Sequence, residues 1–110
     1  MSEELADRIR RHLKGRRTVS EKRMFGGVCF LLRGNMLCGT GKGRLMVRVG
    51  KEQDAVALAR AGARPMDFTG RVMKGFVWVN AEGCVGARIG RWIALAENYV
   101  GALPPKKEKR

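Results

Sequence analysis

Residues 33–49 read RGNMLCGTGKGRLMVRV, and this stretch decides the fold. Its glycine-containing triplets at 33–35 and 41–43 are turn signals, and each is followed by a short run typical of a strand. Over residues 44–49, leucine and valine alternate with arginine and methionine, which is the two-residue period of a strand. One face is therefore expected to be buried and the other to be wet or lined by methionine. Turns this short join antiparallel strands, so the stretch predicts a meander.

Apolar periods and turn residues predict three helices and six strands over the whole chain. We expect helices at 3–14, with Ser2 as N-cap and Gly15 as the stop, at 51–61 and at 85–103. We expect strands at 22–25, 28–32, 36–40, 44–49, 66–68 and 74–79. The order α-β-β-β-β-α-β-β-α predicts an α+β fold, a two-layer antiparallel β-sheet flanked by helices.

The sequence predicts which residues of the second and third helices are apolar. The second is expected to use Ala55, Val56, Leu58 and Ala59. The third has the clearest pattern in the chain, and Pro104-Pro105 is expected to end it. Its apolar positions follow a 3.6-residue period: Val85, Ile89, Trp92, Ile93, Ala96, Tyr99, Val100 and Leu103.

Length and charge bound the class of protein. A chain of 110 residues is one domain, which we place at 1–103, followed by a basic tail at 104–110 that is expected to be disordered. The formal net charge is +13, which favours an acidic partner, either nucleic acid or an acidic protein surface. No apolar run approaches the ~20 residues that span a bilayer, and the acidic start lacks a secretory signal pattern. The expected location is the cytoplasm.

Residues for catalysis or metal binding do not form a recognisable set. Cys29, Cys38 and Cys84 are widely spaced among apolar or small residues, which predicts buried thiols rather than disulfides or a zinc site. The single histidine, His12, is expected to pack at a helix edge. The glycine-rich segment 39–43 lacks the spacing of a phosphate-binding loop and leads into a strand, so it predicts a hairpin turn. We expect no catalytic residue, no metal and no cofactor.

Two features predict binding. Residues 8–23 hold eight basic residues and one acidic residue, which describes either a solvated face or a surface that contacts phosphate without reading bases. The candidate contacts to nucleic acid or an acidic partner, with two from the tail, are Arg8, Arg11, Lys14, Arg16, Arg17, Lys22, Arg23, Lys106 and Lys107. The second feature is a set of methionines that either fill a core or line an adaptable surface for a protein partner: Met24, Met36, Met46, Met66 and Met73.

Five segments in order resemble the TfoX/Sxy N-terminal domain family, at residues 22–27, 34–36, 45–50, 64–71 and 73–79. The resemblance runs from the first helix to Leu103 and implies an antiparallel sheet with flanking helices. Longer members are similar to regulators of natural competence, which activate DNA-uptake genes and carry a second, C-terminal domain. The resemblance supplies no catalytic residues. The motif residues look largely like determinants of the fold: Met24, Phe25, Gly26, Gly27, Met66, Phe68, Met73, Gly75 and Trp78.

Three functions remain open at this point. The leading hypothesis is a non-catalytic regulatory or adaptor domain that contacts another protein, in transcription. The alternative is sequence-independent nucleic-acid binding through the basic stretch and the tail. The third is a small enzyme or ligand-binding domain whose site has no recognisable motif. The sequence also allows a homodimer, because small sheet domains often bury a sheet edge or face against a second copy.

Overall fold

The computed structural model describes residues 2–15, 18–24, 27–41, 43–68 and 71–105. It confirms the predicted α+β fold and the order of elements. The helices are α1 (Ser2–Leu13), α2 (Asp54–Leu58) and α3 (Arg88–Val100), and two 3-10 helices lie at Lys51–Gln53 and Ala81–Cys84. The strands are β1 (Val19–Met24), β2 (Gly27–Leu32), β3 (Asn35–Gly41), β4 (Arg44–Arg48), β5 (Ala63–Phe68) and β6 (Arg71–Val79).

The six strands form one antiparallel sheet in the order β1-β2-β3-β4-β6-β5. The first four strands are the predicted meander. The link between β4 and β6 passes outside the sheet through α2 and β5, so β6 lies inside the sheet and β5 forms its edge. Strand β6 is therefore flanked on both sides, as its continuous apolar run predicts.

All three helices contribute to one hydrophobic core on one face of the sheet, which we call the inner face. Helix α1 buries Leu5, Ile9 and Leu13, and α3 buries a longer row that includes Trp92 and Ile93. The sheet supplies the alternate residues of its strands, among them Leu45 and Val47 of β4. A bulge between β2 and β3 turns two consecutive residues, Leu37 and Cys38, into this core.

Several predicted boundaries and faces are corrected. Helix α1 already includes Ser2, so Ser2 does not stand before it as a cap. Helix α2 is much shorter than predicted, and its buried residue is Ala57, whereas Val56 is 58% exposed. Of the four residues expected to be apolar here, Leu58 packs against the core. The apolar residues of so short a helix do not determine which of its sides is buried, because that side depends on which turn of the helix contacts the sheet. The predicted start of α3 is also wrong, because Val85 has an extended backbone and is 61% exposed.

Candidate functional site

The face of the sheet opposite the helices carries a second, smaller apolar cluster. We call it the outer face cluster; it contains Cys29, Met46, Met66 and Trp78, with Met36, Met73 and Phe76 packed against them. Every member comes from a strand, and none from a helix. The helices therefore cover the inner core, whereas no helix residue belongs to the outer face cluster.

Strand register explains how these residues meet. Cys29 of β2 is paired with Gly39 of β3, Gly39 with Met46 of β4, and Met46 with Trp78 of β6. Paired residues of antiparallel strands point to the same side of a sheet. These positions form one row across four strands. A β-carbon on Gly39 would lie 2.8 Å from the carbonyl oxygen of Val28 and 3.4 Å from Cε of Met46, so the glycine lets the neighbouring strand and Met46 pack closely.

Arginine side chains cover the two aromatic rings of the cluster. The guanidinium carbon of Arg44 lies 4.2 Å from the centre of the Trp78 ring. That of Arg48 lies 5.7 Å from the Phe76 ring and 5.5 Å from the ring of Tyr99, which belongs to α3. These are cation–π distances, at which the ring face attracts the cation. Both arginines remain half-buried, so they present charge at the surface while packing on apolar groups.

The charge of the outer face has one sign over four strands. By register, the outward positions of β1 to β4 that the structure describes carry Lys22, Arg44 and Arg48. None of those described positions carries an aspartate or a glutamate. The outer face thus combines methionine, aromatic rings and arginine, which are residue types that protein interfaces favour over the remaining surface.

A cavity of about 570 Å³ lies at the end of this face. Arg48 and Phe76 of the outer face also line this cavity. The other side chains in its lining are those of Lys51, Glu52, Lys74 and Tyr99. Two glycines with left-handed backbone form its floor: Gly50 has φ 82° and Gly75 has φ 93°. The amide of Gly75 donates to Asp54 Oδ1 at 2.9 Å, and its carbonyl accepts from the amide of Gly50 at 3.0 Å. These bonds fix the shape of the cavity.

Residues 11–98 match the model of the TfoX N-terminal domain family. The chain belongs to this family. Comparison with curated proteins and with solved structures found no match. The TfoX N-terminal domain is not a known enzyme family.

The motif residues of this TfoX N-terminal domain that the structure describes with their side chains fall largely at the outer face. Met66, Met73 and Trp78 belong to the cluster, and Gly75 forms the cavity floor. Gly27 begins β2, where a β-carbon would lie 1.7 Å from the carbonyl oxygen of Thr40. Phe25 and Gly26 lie outside the described residues, as do the side chains of Met24 and Phe68.

The three cysteines are buried and free, as predicted. Burial raises the pKa of Cys29 to about 11, against a small opposing effect of Lys22. Burial likewise raises the pKa of Cys38 and of Cys84. All three thiols are therefore protonated at neutral pH, and a protonated thiol is a poor nucleophile and a poor metal ligand. In the part of the chain that the structure describes, no group of His, Cys, Asp and Glu is placed to hold a metal ion.

The basic stretch of residues 8–23 does not form one surface. Arg8 donates to the carbonyl oxygens of Cys84, at 2.6 Å, and Gly86, at 3.1 Å. Arg11 and Lys14 are exposed on α1. Lys22 and Arg23 are also exposed, but they are neighbours on β1 and point to opposite faces of the sheet. Arg16, Arg17, Lys106 and Lys107 lie outside the described residues.

His12 lies against α3, where its ring would meet a β-carbon on Gly90 at 2.8 Å. This is the packing at a helix edge that the sequence predicts, although the residue as a whole is exposed. No helix within the described ranges is long and apolar enough to cross a membrane.

The sequence reasoning did not single out Arg44 and Arg48, because they lie outside the basic stretch. The signal that could have found them is the alternation over 44–49, combined with the aromatic residues at every second position of the strand that ends at Val79. Pairing those two strands places each arginine beside a ring.

Proposed function

We propose that this TfoX N-terminal domain is a non-catalytic regulatory adaptor that binds an acidic protein segment on the outer face of its sheet. The observation that carries the proposal is the outer face cluster itself, to which no helix residue belongs, with Arg44 and Arg48 over its aromatic rings. Its four central residues are at most 9% exposed, and its half-buried members reach the surface. Regulation in transcription, as in the competence regulators that longer family members resemble, would then depend on which protein occupies this face.

The chemistry of the face supports a protein occupant. Half-buried Met36, Met73 and Phe76 offer apolar contacts, and methionine adapts to irregular surfaces because its chain is flexible and its sulfur polarizable. Arginine and aromatic residues dominate the binding energy of protein interfaces. Thioethers, ring faces and guanidinium groups are suited to contacts with a partner rather than to chemical reaction.

The charge of the face supports an acidic occupant. Lys22, Arg44 and Arg48 share the outward side. The cavity adds Lys51 and Lys74 against a single carboxylate, Glu52, so its lining also has an excess of positive charge. A carboxylate of the partner can pair with Arg48, while an apolar neighbour packs on Phe76. The net charge of +13 would also accelerate the encounter with such a partner at low salt.

The test is site-specific photocrosslinking followed by binding measurements. A photoreactive benzophenone amino acid replaces Met36 on the outer face, and in a matched control it replaces Val56, which is exposed on α2 on the helical side. The crosslinked protein is identified by mass spectrometry and purified. Its affinity is then measured by calorimetry for the wild type, for Met36→Glu and for Arg44→Gln. We expect crosslinks at position 36 only, and an affinity reduced about tenfold or more in both variants.

A charge-matched variant, Arg23→Gln, removes one positive charge from the inner side of the same sheet and should leave the affinity within about twofold. Thermal unfolding of each variant shows whether the domain still folds. Equal crosslinking at positions 36 and 56 would refute the proposal. Recovery of duplex DNA alone, or of a second copy of the chain alone, at position 36 would refute it in favour of nucleic-acid binding or of a homodimer.

A further inference from the structure

A second basic site lies on the helical side of the molecule, away from the outer face. It is a cleft of about 280 Å³ between the end of α2, the second 3-10 helix and the start of α3. Its lining residues are Arg60, Ala61, Gly83, Arg88, Arg91 and Trp92. Three of these six are arginines, and none is acidic.

Two of the three guanidinium groups are held in place. Arg60 lies over the ring of Trp92, with 5.0 Å between its guanidinium carbon and the ring centre. Trp92 is only 2% exposed, and its indole Nε1 donates to the carbonyl oxygen of Gly83 at 3.1 Å, so the ring is a fixed support. Arg88 donates through Nη1 to the carbonyl oxygen of Glu82 at 3.0 Å. The cleft therefore has a rigid wall with oriented cations.

The positive charge of the cleft is not balanced within the described chain. The ion pairs between described residues both involve Arg10, and none involves Arg60, Arg88 or Arg91. Arg88 and Arg91 also stand in the first turn of α3, where the helix dipole disfavours cations, and that turn holds no acidic residue. An anion placed between the three arginines would relieve this repulsion.

We propose that this cleft binds a phosphate group. Guanidinium groups pair with phosphate oxygens through two parallel hydrogen bonds, and three arginines around one opening suit a doubly charged, tetrahedral anion better than a single carboxylate. The phosphate can belong to a small phosphorylated molecule or to a nucleic acid, since both offer the same oxygens. The cleft and the outer face share no residue. A phosphorylated ligand can therefore bind the cleft while a protein partner occupies the outer face.

The two tryptophans make the test specific, because Trp92 lines the cleft and Trp78 belongs to the outer face cluster. The ¹⁵N-labelled domain is titrated with inorganic pyrophosphate, with sodium chloride of equal ionic strength as the reference, and both indole N–H resonances are followed. We expect a saturable shift of the Trp92 resonance that chloride does not reproduce. Arg60→Gln and Arg91→Gln should each weaken the affinity roughly tenfold, as the loss of a charged hydrogen bond requires.

Arg23→Gln removes the same charge from β1 at the opposite edge of the sheet and should leave the titration unchanged. The dispersion of the amide spectrum shows whether each variant is folded. A second titration uses a twelve-nucleotide single-stranded DNA to distinguish a small phosphorylated ligand from a nucleic acid. A site for nucleic acid should shift the Trp92 resonance with both pyrophosphate and the DNA, whereas a site for a small phosphorylated molecule should respond to pyrophosphate alone. The proposal is overturned if neither probe shifts the Trp92 resonance, or if the shift persists unchanged in both cleft variants.

Discussion

Arg44 lies over Trp78, with 4.2 Å between the guanidinium carbon and the ring centre, and this contact joins β4 to β6 on the outer face. The register places Arg44 one step diagonally from Trp78, whose direct partner on β4 is Met46. The arginine thus shields a ring that is 9% exposed. The same side chain supplies both packing and surface charge, so a change at Arg44 should affect both the stability and the proposed binding of this face.

Replacing Arg44 by glutamine should therefore uncover the ring. We expect Arg44→Gln to lower the free energy of unfolding by roughly 1 kcal/mol, since a partly desolvated cation–π contact is lost. Urea unfolding measures the loss, and acrylamide quenching of tryptophan fluorescence measures the added exposure. Arg64 provides the control, because it is paired with Trp78 across β5 and β6 but is not over its ring. Equal effects of Arg64→Gln and Arg44→Gln would argue against a specific ring contact.

Arg8 is expected to act in stability rather than in nucleic-acid binding. Its guanidinium group donates to the carbonyl oxygens of Cys84, at the end of the second 3-10 helix, and of Gly86, which lies between that helix and α3. We expect Arg8→Gln to lower the free energy of unfolding by about 1–2 kcal/mol, because charged hydrogen bonds to backbone acceptors are lost. Lys14→Gln, an exposed change on the same helix, should stay within about 0.5 kcal/mol. Equal urea unfolding midpoints for Arg8→Gln and Lys14→Gln would contradict this role.

Gly50 is expected to tolerate no side chain. Its backbone is left-handed, at φ 82°, and a β-carbon there would lie 2.5 Å from Cδ1 of Tyr99. We expect Gly50→Ala to lower the free energy of unfolding by about 3 kcal/mol or more, from backbone strain and steric overlap together. Gly15 also has a positive φ, 87°, but open space around it, so Gly15→Ala shows the cost of a side chain at positive φ without overlap, about 1–2 kcal/mol. Thermal unfolding measures the stability of both variants. Similar losses of stability in Gly50→Ala and Gly15→Ala would show that overlap with Tyr99 adds nothing to the cost.

The pKa of Cys29 predicts a loss of stability at alkaline pH. The thiol has an ordinary pKa of 9.0, and burial raises it to about 11 in the folded chain. Between these values the unfolded chain releases a proton that the folded chain retains, so the free energy of unfolding falls as the pH rises from about 9 to 11. Below pH 9 both states keep the proton, and the contribution is complete.

The measurement compares urea unfolding at pH 8 and pH 10.5 in the wild type and in Cys29→Ala. Other groups titrate in both proteins, so the difference between the two pH dependences isolates Cys29. We expect the wild type to lose about 1 kcal/mol more than Cys29→Ala over this interval. Parallel pH dependences would show that the thiol titrates alike in the folded and unfolded chains.

Local pattern was sufficient for the type and order of the elements. The alternation over 44–49 predicts a strand with one apolar and one arginine–methionine face, and the structure confirms it, because the direction of a side chain in a strand is fixed by the two-residue period. The burial of the cysteines follows from their apolar neighbours in the same way. Where an element is short, as in α2, the pattern failed, since one turn of helix contains too few residues to define a face.

The sequence by itself determined an α+β domain with a methionine-bearing strand face and an excess of positive charge. Only the tertiary structure decided which charges act together. Strand pairing brings Arg44 to Trp78, and the fold gathers Arg60, Arg88 and Arg91 at one cleft, although Arg60 is 28 positions or more before the other two. It also divides the basic stretch, turning Lys22 and Arg23 to opposite faces. The physical reason is that electrostatic interaction depends on distance in space, which register and helix packing set, and not on distance along the chain.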